Sequence, residues 1–294
     1  MSIAVSIQKL AKRYGKTQAL ANVSLEIPAG AAYALLGKNG AGKTTLLNCT
    51  LGLTSPNAGT VLFNGETLQW HMFEHIAYVP DGCALYDALT IAQHVAMFAG
   101  QVRSFDCDYA DRILKRFELP VARRMGALSR GQKAAAAVTV AFASRPQLVL
   151  LDEPTAGLDP GAQRIALDLV VEAAACGATV LLSSHNVAHI ERVADHVAIL
   201  RSGVIALDGP LDELLSRHRV IEAIAPNGVA LPTLDAVAPE AIERIGTMVR
   251  VFSSDADRTR AQLVGAGFDI AKMTDSSLED VYFAHAGASP AERH

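Results

Sequence analysis

Short apolar runs along the chain predict strands, and in its second half helices lie between these strands. Ala32–Leu36 and Leu148–Leu151 are uninterrupted apolar runs, typical of strands that are buried on both faces. The pattern predicts strands at residues 147–151, 178–183 and 196–200, and helices at residues 161–175 and 186–193. Because strands and helices alternate, we expect a parallel sheet with right-handed crossover connections.

The other segments differ in pattern, which predicts their organisation. Residues 1–83 alternate short strands with turns, and Thr60–Phe63 followed by Asn64-Gly65 is the clearest strand and turn. Residues 84–145 are mainly helical and are predicted to form an arm. Residues 1–216 therefore form one predicted domain, residues 217–285 a second, and residues 286–294 a disordered end.

The predicted second domain mixes both kinds of element. Its predicted strands are Arg219–Ala225, Met248–Phe252 and Phe268–Met273. Its predicted helices are Pro239–Gly246, Asp255–Gly265 and Ser277–Phe283. We therefore expect a small α+β domain.

The loop after the first apolar run has the spacing of a phosphate-binding loop. It fits G-x-x-x-x-G-K-[ST] and lies between a predicted strand and a predicted helix at Lys43–Leu51. Glycines let the backbone N–H groups turn inward, and the helix start adds a positive dipole end. Lys43 is expected to reach the β- and γ-phosphates, and the Thr44 hydroxyl to bind Mg²⁺. The nucleotide-binding candidates here are Gly37, Lys38, Asn39, Gly40, Ala41, Gly42, Lys43, Thr44 and Thr45.

Two adjacent acids follow the second apolar run. Asp152 and Glu153 lie at the carboxyl end of that predicted strand, where open α/β sheets bind their ligands. Asp152 is predicted to hold the Mg²⁺ shell, and Glu153 to polarise the water that attacks the γ-phosphate. A solvated strand end is the alternative for such a pair, and the phosphate loop in the same chain argues against it.

Three further motifs occur in a fixed order. Leu128–Gln132 reads Leu-Ser-Arg-Gly-Gln, Ala156–Pro160 reads Ala-Gly-Leu-Asp-Pro, and Leu182–Asn186 reads Leu-Ser-Ser-His-Asn. Together with the loop and the acids, they make residues 3–216 resemble the nucleotide-binding subunit of an ATP-binding cassette (ABC) transporter. The resemblance implies an α/β P-loop NTPase core with a parallel sheet, an antiparallel β subdomain and a helical subdomain that carries the Leu128–Gln132 signature.

The resemblance also implies roles for single residues. Tyr14 matches the aromatic residue that stacks on adenine, and His185 matches the switch histidine that contacts the γ-phosphate. Ser129, Gly131 and Gln132 match the part of the signature that binds ATP. The resemblance therefore implies an ATPase with ATP and Mg²⁺ as ligands, in which His185 and the carboxylate motif perform catalysis.

A single loop and a single signature per chain imply a dimer. In the family architecture, ATP lies between Lys43 of one copy and Ser129 of the other. A homodimer and a heterodimer both fit this arrangement, and both halves of the composite site look intact in this chain.

Two positions within the motifs depart from the family pattern. Arg130 stands where the signature usually has glycine, and Asp81 stands where the family usually has a glutamine that senses Mg²⁺ and the attacking water. Some exporter subfamilies have glutamate at the latter position. Aspartate is one methylene shorter, which counts against direct contact with the metal. We therefore keep Asp81 as a candidate both for metal binding and for coupling to the membrane subunit.

Composition excludes several other classes. The chain has 294 residues, 19% of them charged, and a formal net charge of −4, so no overall basic signature points to nucleic acid. No run approaches the ~20 apolar residues of a membrane span, and Lys9, Lys12 and Arg13 interrupt any signal-like start. We therefore expect a cytoplasmic protein that lies on the cytoplasmic face of the cell membrane through a separate polytopic membrane subunit.

Two functions remain at this point. Ser277–Phe283 resembles the "SLEDVF" ending of cassette subunits that serve exporters of drugs, lipids, polysaccharides or peptides, although a capped amphipathic helix would read similarly. The sequence therefore predicts the ATP-hydrolysing subunit of an exporter. The alternative is a soluble ABC ATPase that acts on ribosomes or DNA. Such relatives usually carry two cassettes, coiled coils or zinc modules, which this sequence does not suggest.

Overall fold

A computed structural model describes residues 2–82, 85–225 and 242–286. The chain divides into two compact units. The first comprises Met1–His196 with Leu200–Ile205, and the second comprises Val197–Ile199 with Ala206–His294. Among the described residues, no helix is both long enough and apolar enough to cross a bilayer.

Strands and helices alternate through most of the first 217 residues. The strands are β1 (Ile3–Tyr14), β2 (Thr17–Pro28), β3 (Ala32–Leu36), β4 (Ala58–Phe63), β5 (Glu66–Thr67), β6 (Ile76–Val79), β7 (Leu148–Asp152), β8 (Thr179–Ser184), β9 (His196–Arg201) and β10 (Val204–Pro210). The helices are α1 (Lys43–Thr50), α2 (Ile91–Gln101), α3 (Cys107–Arg116), α4 (Arg130–Ala143), α5 (Pro160–Ala175), α6 (Val187–Val193) and α7 (Leu211–Arg217). Two short 3₁₀ helices span Trp70–His75 and Met125–Ala127.

A six-stranded sheet has the order β10-β9-β3-β8-β7-β6. Strands β3, β8, β7 and β6 pair in parallel, and every residue of β3 and β7 is buried. This arrangement confirms the predicted α/β class with a parallel sheet. It also brings the loops after β3, β6, β7 and β8 to the same edge of the sheet, which is where a parallel sheet binds ligands.

A second, antiparallel sheet has the order β2-β1-β4-β5 and matches the predicted β subdomain. The predicted turn between β4 and β5 is present. Asn64 (φ 48°) and Gly65 (φ 86°) both occupy the left-handed region, as a two-residue hairpin turn requires.

The predicted helical arm consists of α2, α3 and α4. Its core is a cluster of buried apolar side chains: Ile91, Leu114, Leu119, Met125, Leu128, Ala135, Ala136, Leu158 and Ala166. Leu128 begins the signature and Leu158 lies in the loop after β7, so this cluster packs the arm against the loop that follows Asp152 and Glu153.

The remaining described elements lie in the second unit and comprise a four-stranded antiparallel sheet and two helices. They are β11 (Arg219–Ile224), β12 (Ile242–Ile245), β13 (Met248–Ser253), α8 (Ala256–Gly265), β14 (Asp269–Asp275) and α9 (Leu278–Ala286). The sheet order is β12-β13-β11-β14. Helix α8 packs on β11 and β14, and its Leu263 lies in the core with Ile221, Val251 and Phe268.

One predicted element of this unit is wrong. The helix expected at Pro239–Gly246 is replaced, over its described part, by strand β12, which pairs antiparallel with β13. The physical reason is the dipeptide that follows Ile245. Gly246 (φ 63°) and Thr247 form a two-residue loop between the paired residues Ile245 and Met248, and a glycine at the first loop position favours a hairpin.

The predicted boundaries remain predictions. The second compact unit takes in the chain from Ala206 onward, and the proposed domain break at residues 216/217 lies within it. Helix α9 ends at Ala286, and residues 287–294, most of the end predicted to be disordered, lie outside the described residues.

Candidate nucleotide-binding site

The phosphate loop is shaped by glycines that no larger residue can replace without strain. A Cβ on Gly37 would lie 2.6 Å from the carbonyl oxygen of Leu200, and a Cβ on Gly42 would lie 2.5 Å from that of Ala19. Gly42 also has a φ of 111° and directly precedes α1. The loop therefore lies against β2 and β9 on one side. Around Gly40 there is open space instead, since no heavy atom of the described residues lies within 4 Å of a built Cβ apart from its chain neighbours.

Lys43 lies inside this loop. Its Nζ donates hydrogen bonds to the carbonyl oxygens of Gly37 at 2.7 Å and Lys38 at 3.4 Å. It also lies 3.2 Å from Glu153 Oε1, and only 6% of the Lys43 side chain is exposed. The lysine charge is thus held at the first turn of α1, where backbone N–H groups also point toward an anion.

Glu153 contacts both Lys43 of the phosphate loop and His185 after β8. Its Oε1 contacts Lys43, and its Oε2 lies 3.0 Å from Nδ1 of His185. Among the described residues, Oε1 has no aligned hydrogen bond, so its contact with Lys43 is an ion pair. The backbone of Glu153 has a φ of 50°, a left-handed conformation that is uncommon for a residue with a side chain.

Asp152 is the most buried acid of the site, with 1% of its surface exposed. Its Oδ1 accepts a hydrogen bond of 2.5 Å from the Ser183 hydroxyl, since Asp152 and Ser183 are register partners on the parallel strands β7 and β8. Its Oδ2 has no hydrogen-bond partner among the described residues. A buried carboxylate oxygen without a partner fits a cation, and carboxylate and hydroxyl oxygens are the ligands that Mg²⁺ prefers. The exposed Thr44, at the start of α1, offers such a hydroxyl.

The signature begins helix α4 with a capping box. The Ser129 hydroxyl accepts from the Gln132 backbone N–H at 3.2 Å, and Gln132 Oε1 accepts from the Ser129 N–H at 3.1 Å. A Cβ on Gly131 would lie 2.5 Å from the Gly157 carbonyl oxygen, so the helix start lies directly on the loop after β7. Ser129 itself is exposed.

Two further predicted residues lie at the margins of the site. Tyr14 ends β1 with 49% of its surface exposed, and Lys12 Nζ lies 5.0 Å from its ring centroid. Asp81, after β6, forms a 3.3 Å ion pair with the guanidinium of Arg130. The Asp81 carboxylate is therefore engaged by the signature of its own chain, and its role toward a metal stays a prediction.

The acids of the site affect a nearby tyrosine. Burial, followed by the charges of Asp152 and Asp81, raises the pKa of Tyr78 to about 12. Its hydroxyl donates to Asn48 Oδ1 on α1 at 3.2 Å. Tyr78 therefore stays protonated and links β6 to the helix that follows the phosphate loop.

The sequence did not reveal several contacts that support the site. Ser183 holds Asp152, and the Thr155 hydroxyl lies 3.2 Å from Nδ1 of His189, which connects the loop after β7 to α6. Burial, and then the charge of His185, lower the pKa of His189. The register of β7 with β8 could have suggested Ser183, since a polar residue ends both strands. No local sequence signal indicated the contact between Thr155 and His189.

Comparisons with known proteins agree with this geometry. Residues 20–156 match the protein family described as "ABC transporter". The chain is 34% identical over 221 residues to the ABC transporter ATP-binding protein YtrB of Bacillus subtilis. This alignment covers 74% of this chain and 76% of YtrB. The chain belongs to the ATP-binding subunits of ABC transporters. This result confirms the predicted family and its ATPase class, and nothing in the comparisons favours action on ribosomes or DNA.

Two other relatives of this ABC subunit extend the comparison. The Nod factor export ATP-binding protein I of Burkholderia lata is 28% identical over 295 residues, covering 96% of this chain and 97% of that protein. A solved ATP-binding subunit of an ABC transporter superposes with a TM-score of 0.65 at 31% identity, covering 72% of this chain and 92% of that one. The export relative therefore spans both compact units, whereas the solved structure spans about three quarters of the chain.

Proposed function

We propose that this ABC subunit is the ATP-hydrolysing motor of an exporter whose membrane pore is a separate chain. The observation that carries the motor function is the position of Glu153, which lies between Lys43 of the phosphate loop and His185 after β8. Export is supported by the similarity to a Nod factor export protein, which covers 96% of this chain. A similarity limited to residues 1–216 would not support export as the direction of transport.

Glu153 acts as the general base in this proposal. As a water oxygen attacks the γ-phosphorus, the carboxylate accepts the water proton and the bond to the β-phosphate oxygen breaks, which yields ADP and phosphate. When ATP binds, Lys43 exchanges its ion pair with Glu153 for contacts with the phosphates. His185 orients the γ-phosphate. The ion pair with Lys43 holds Glu153 beside the phosphate loop before ATP arrives.

The residues of the site also fit a magnesium ion. Thr44 and Asp152 would hold it, since Thr44 lies in the first turn of α1 and the buried Oδ2 of Asp152 is without a partner among the described residues. Such an ion supplies charge neutralisation at the β- and γ-phosphates. Tyr14 supplies the adenine contact, and Ser129, Gly131 and Gln132 supply the signature contacts.

Hydrolysis in this proposal needs two copies. One chain offers one phosphate loop and one exposed signature serine, Ser129, at the start of α4. A symmetric pair, with Lys43 of one copy facing Ser129 of the other, completes both sites. The chain then lies on the cytoplasmic face of the membrane through its polytopic partner, with residues 1–216 as the cassette domain and residues 217–285 as an accessory domain.

A purification from the native membrane tests this function. The tagged chain is extracted in mild detergent, and the bound proteins are quantified by mass spectrometry, with Lys43→Ala as a variant impaired in ATP binding. We expect a stoichiometric polytopic membrane protein with both baits, and hydrolysis by the purified complex only with the unmodified chain. Ribosomal or DNA-bound partners, without any membrane protein, would overturn the exporter proposal.

A further inference from the structure

Two of the positions at which this chain departs from the family pattern contact each other. Nη2 of Arg130, in the signature, lies 3.3 Å from Oδ1 of Asp81, in the loop after β6. The two residues are 49 positions apart in sequence, and both lie in the first compact unit. A glycine at position 130 would leave the aspartate without this cation.

Packing directs the arginine toward the aspartate. A Cβ built on Gly157 would lie 3.4 Å from both Cγ and Cδ of Arg130, so the arginine stem crosses directly over that glycine. The next residue, Gly131, approaches the Gly157 carbonyl so closely that a side chain would not fit. Helix α4 therefore begins at a fixed place on the loop after β7. An exposed ion pair usually loses side-chain entropy when it forms, and this packing reduces that loss.

The pair borders a cavity that also touches the catalytic acids. The cavity has a volume of about 300 Å³, and its walls include Asp81, Arg130, Asp152 and Glu153. Three carboxylates therefore face the same space. The neighbouring cation, Lys133, is engaged by Asp87 at 2.7 Å. Arg130 is the residue that balances the charge of Asp81.

We propose that Arg130 is a positioning residue that holds and neutralises Asp81, so that the two departures from the family pattern compensate each other. Without Arg130, the loop after β6 would carry an unbalanced carboxylate beside the site at which ATP phosphates bind. Without Asp81, the guanidinium would lose its anchor on that loop. This inference rests on the proposed ATPase function, and it adds a contact within one chain between the signature and the loop after β6.

A double-mutant cycle tests the pair through ATP hydrolysis. The variants are Asp81→Asn, Arg130→Gln and the combination of both. Each removes a charge, and the glutamine keeps the Cγ and Cδ atoms that pack on Gly157. We expect Arg130→Gln to raise KM for ATP roughly two- to fivefold through repulsion of the phosphates, in the range of exposed ion pairs, and the double variant to recover most of the loss. The effect should shrink as salt rises, because the charges are exposed.

A second readout needs no nucleotide. Hydrogen exchange of the backbone amides near Asp81 and Gly82 should be faster in Arg130→Gln than in the unmodified protein, and Asp81→Asn should add little to it. The matched control is the pair Glu213 and Arg217 on α7. Its side chains are 54% and 68% exposed, close to the 52% and 70% of Asp81 and Arg130. The corresponding control variants should leave KM and this exchange unchanged.

The experiments distinguish failure of the proposed Asp81–Arg130 pairing from failure of the proposed motor function. Additive effects of Asp81→Asn and Arg130→Gln on KM, with unchanged exchange near Asp81, would overturn the proposed pairing while hydrolysis by the unmodified chain stays intact. Loss of hydrolysis in the unmodified dimer would instead overturn the proposed motor function. In that case the exchange measurement still decides whether Arg130 positions Asp81.

Discussion

Lys43 Nζ and Glu153 Oε1 lie 3.2 Å apart, with 6% and 13% of the two side chains exposed. The lysine that is expected to bind phosphate and the proposed catalytic base thus form an ion pair within the same chain. A phosphate entering the loop would compete with Glu153 for the lysine. Binding of the substrate would thereby be coupled to release of Glu153 from Lys43, while the contact of Glu153 with His185 could persist.

Replacing the base should separate binding from turnover. We expect Glu153→Gln to bind ATP with little loss of affinity. We expect it to hydrolyse ATP ~10²- to 10⁴-fold more slowly, since a positioned general base contributes about that factor. Steady-state phosphate release and binding of a fluorescent ATP analogue measure the two properties. Glu213→Gln, on α7, is the control. Turnover near that of the unmodified protein would remove Glu153 from the role of base.

Hydrolysis per subunit should depend on protein concentration. Because each chain offers one phosphate loop and one signature, we expect the rate per subunit to fall on dilution as dimers dissociate. Light scattering or sedimentation at each concentration gives the dimer fraction for comparison. A rate per subunit that stays constant down to pure monomer would contradict the composite site.

The glycines of the phosphate loop should differ in their tolerance of alanine. Both Gly40 (φ 80°) and Gly42 (φ 111°) would impose strained backbone on alanine, a cost of about 1–2 kcal/mol in the left-handed region. Only at Gly42 would the added Cβ overlap a carbonyl oxygen, that of Ala19. We expect Gly42→Ala to lower the free energy of unfolding by roughly 1–3 kcal/mol more than Gly40→Ala. Equal losses in chemical denaturation would refute this difference.

Stability should fall on the acid side of neutrality because of His189. Burial, and then the charge of His185, lower the pKa of His189 below its ordinary value of 6.5. As pH falls through 6.5, the unfolded chain therefore takes up this proton before the folded chain does, and the free energy of unfolding decreases. Above that pH the imidazole is neutral in both states and contributes no difference.

Thermal unfolding midpoints at several pH values measure this effect. We expect His189→Gln to lose less stability than the unmodified protein between about pH 7 and about pH 5.5, since glutamine does not titrate there. The exposed His71 provides the control, and His71→Gln should follow the unmodified protein. Parallel curves for His189→Gln and the unmodified protein would contradict the assignment.

Local patterns predicted most of the sheet and the core of the site. Ala32–Leu36 and Leu148–Leu151 are continuous apolar runs, and each is followed directly by residues with a recognisable chemical role. The parallel strands and the loops at their carboxyl ends follow from such local order. The predicted helix at Pro239–Gly246 failed because a strand of four residues depends on its pairing partner, β13, and on the turn at Gly246.

Contacts between segments distant in sequence could not be predicted from local sequence patterns. Asp81 and Arg130 each departed from the family pattern, and nothing within either segment indicated that they meet. Their contact depends on where α4 begins on the loop after β7, which is set by the close approach of Gly131 to Gly157. The contact of Thr155 with His189 has the same origin, since tertiary packing places α6 beside that loop.

The left-handed backbone of Glu153 has a consequence for how this protein can change. A side chain in that conformation costs about 1–2 kcal/mol, which glycine would not incur. A glycine would relieve that strain, but it would leave the buried charge of Lys43 without its ion-pair partner, which costs more. The ion pair thus retains the proposed base in a conformation that its own backbone disfavours, and selection for heat resistance alone would not remove the acid.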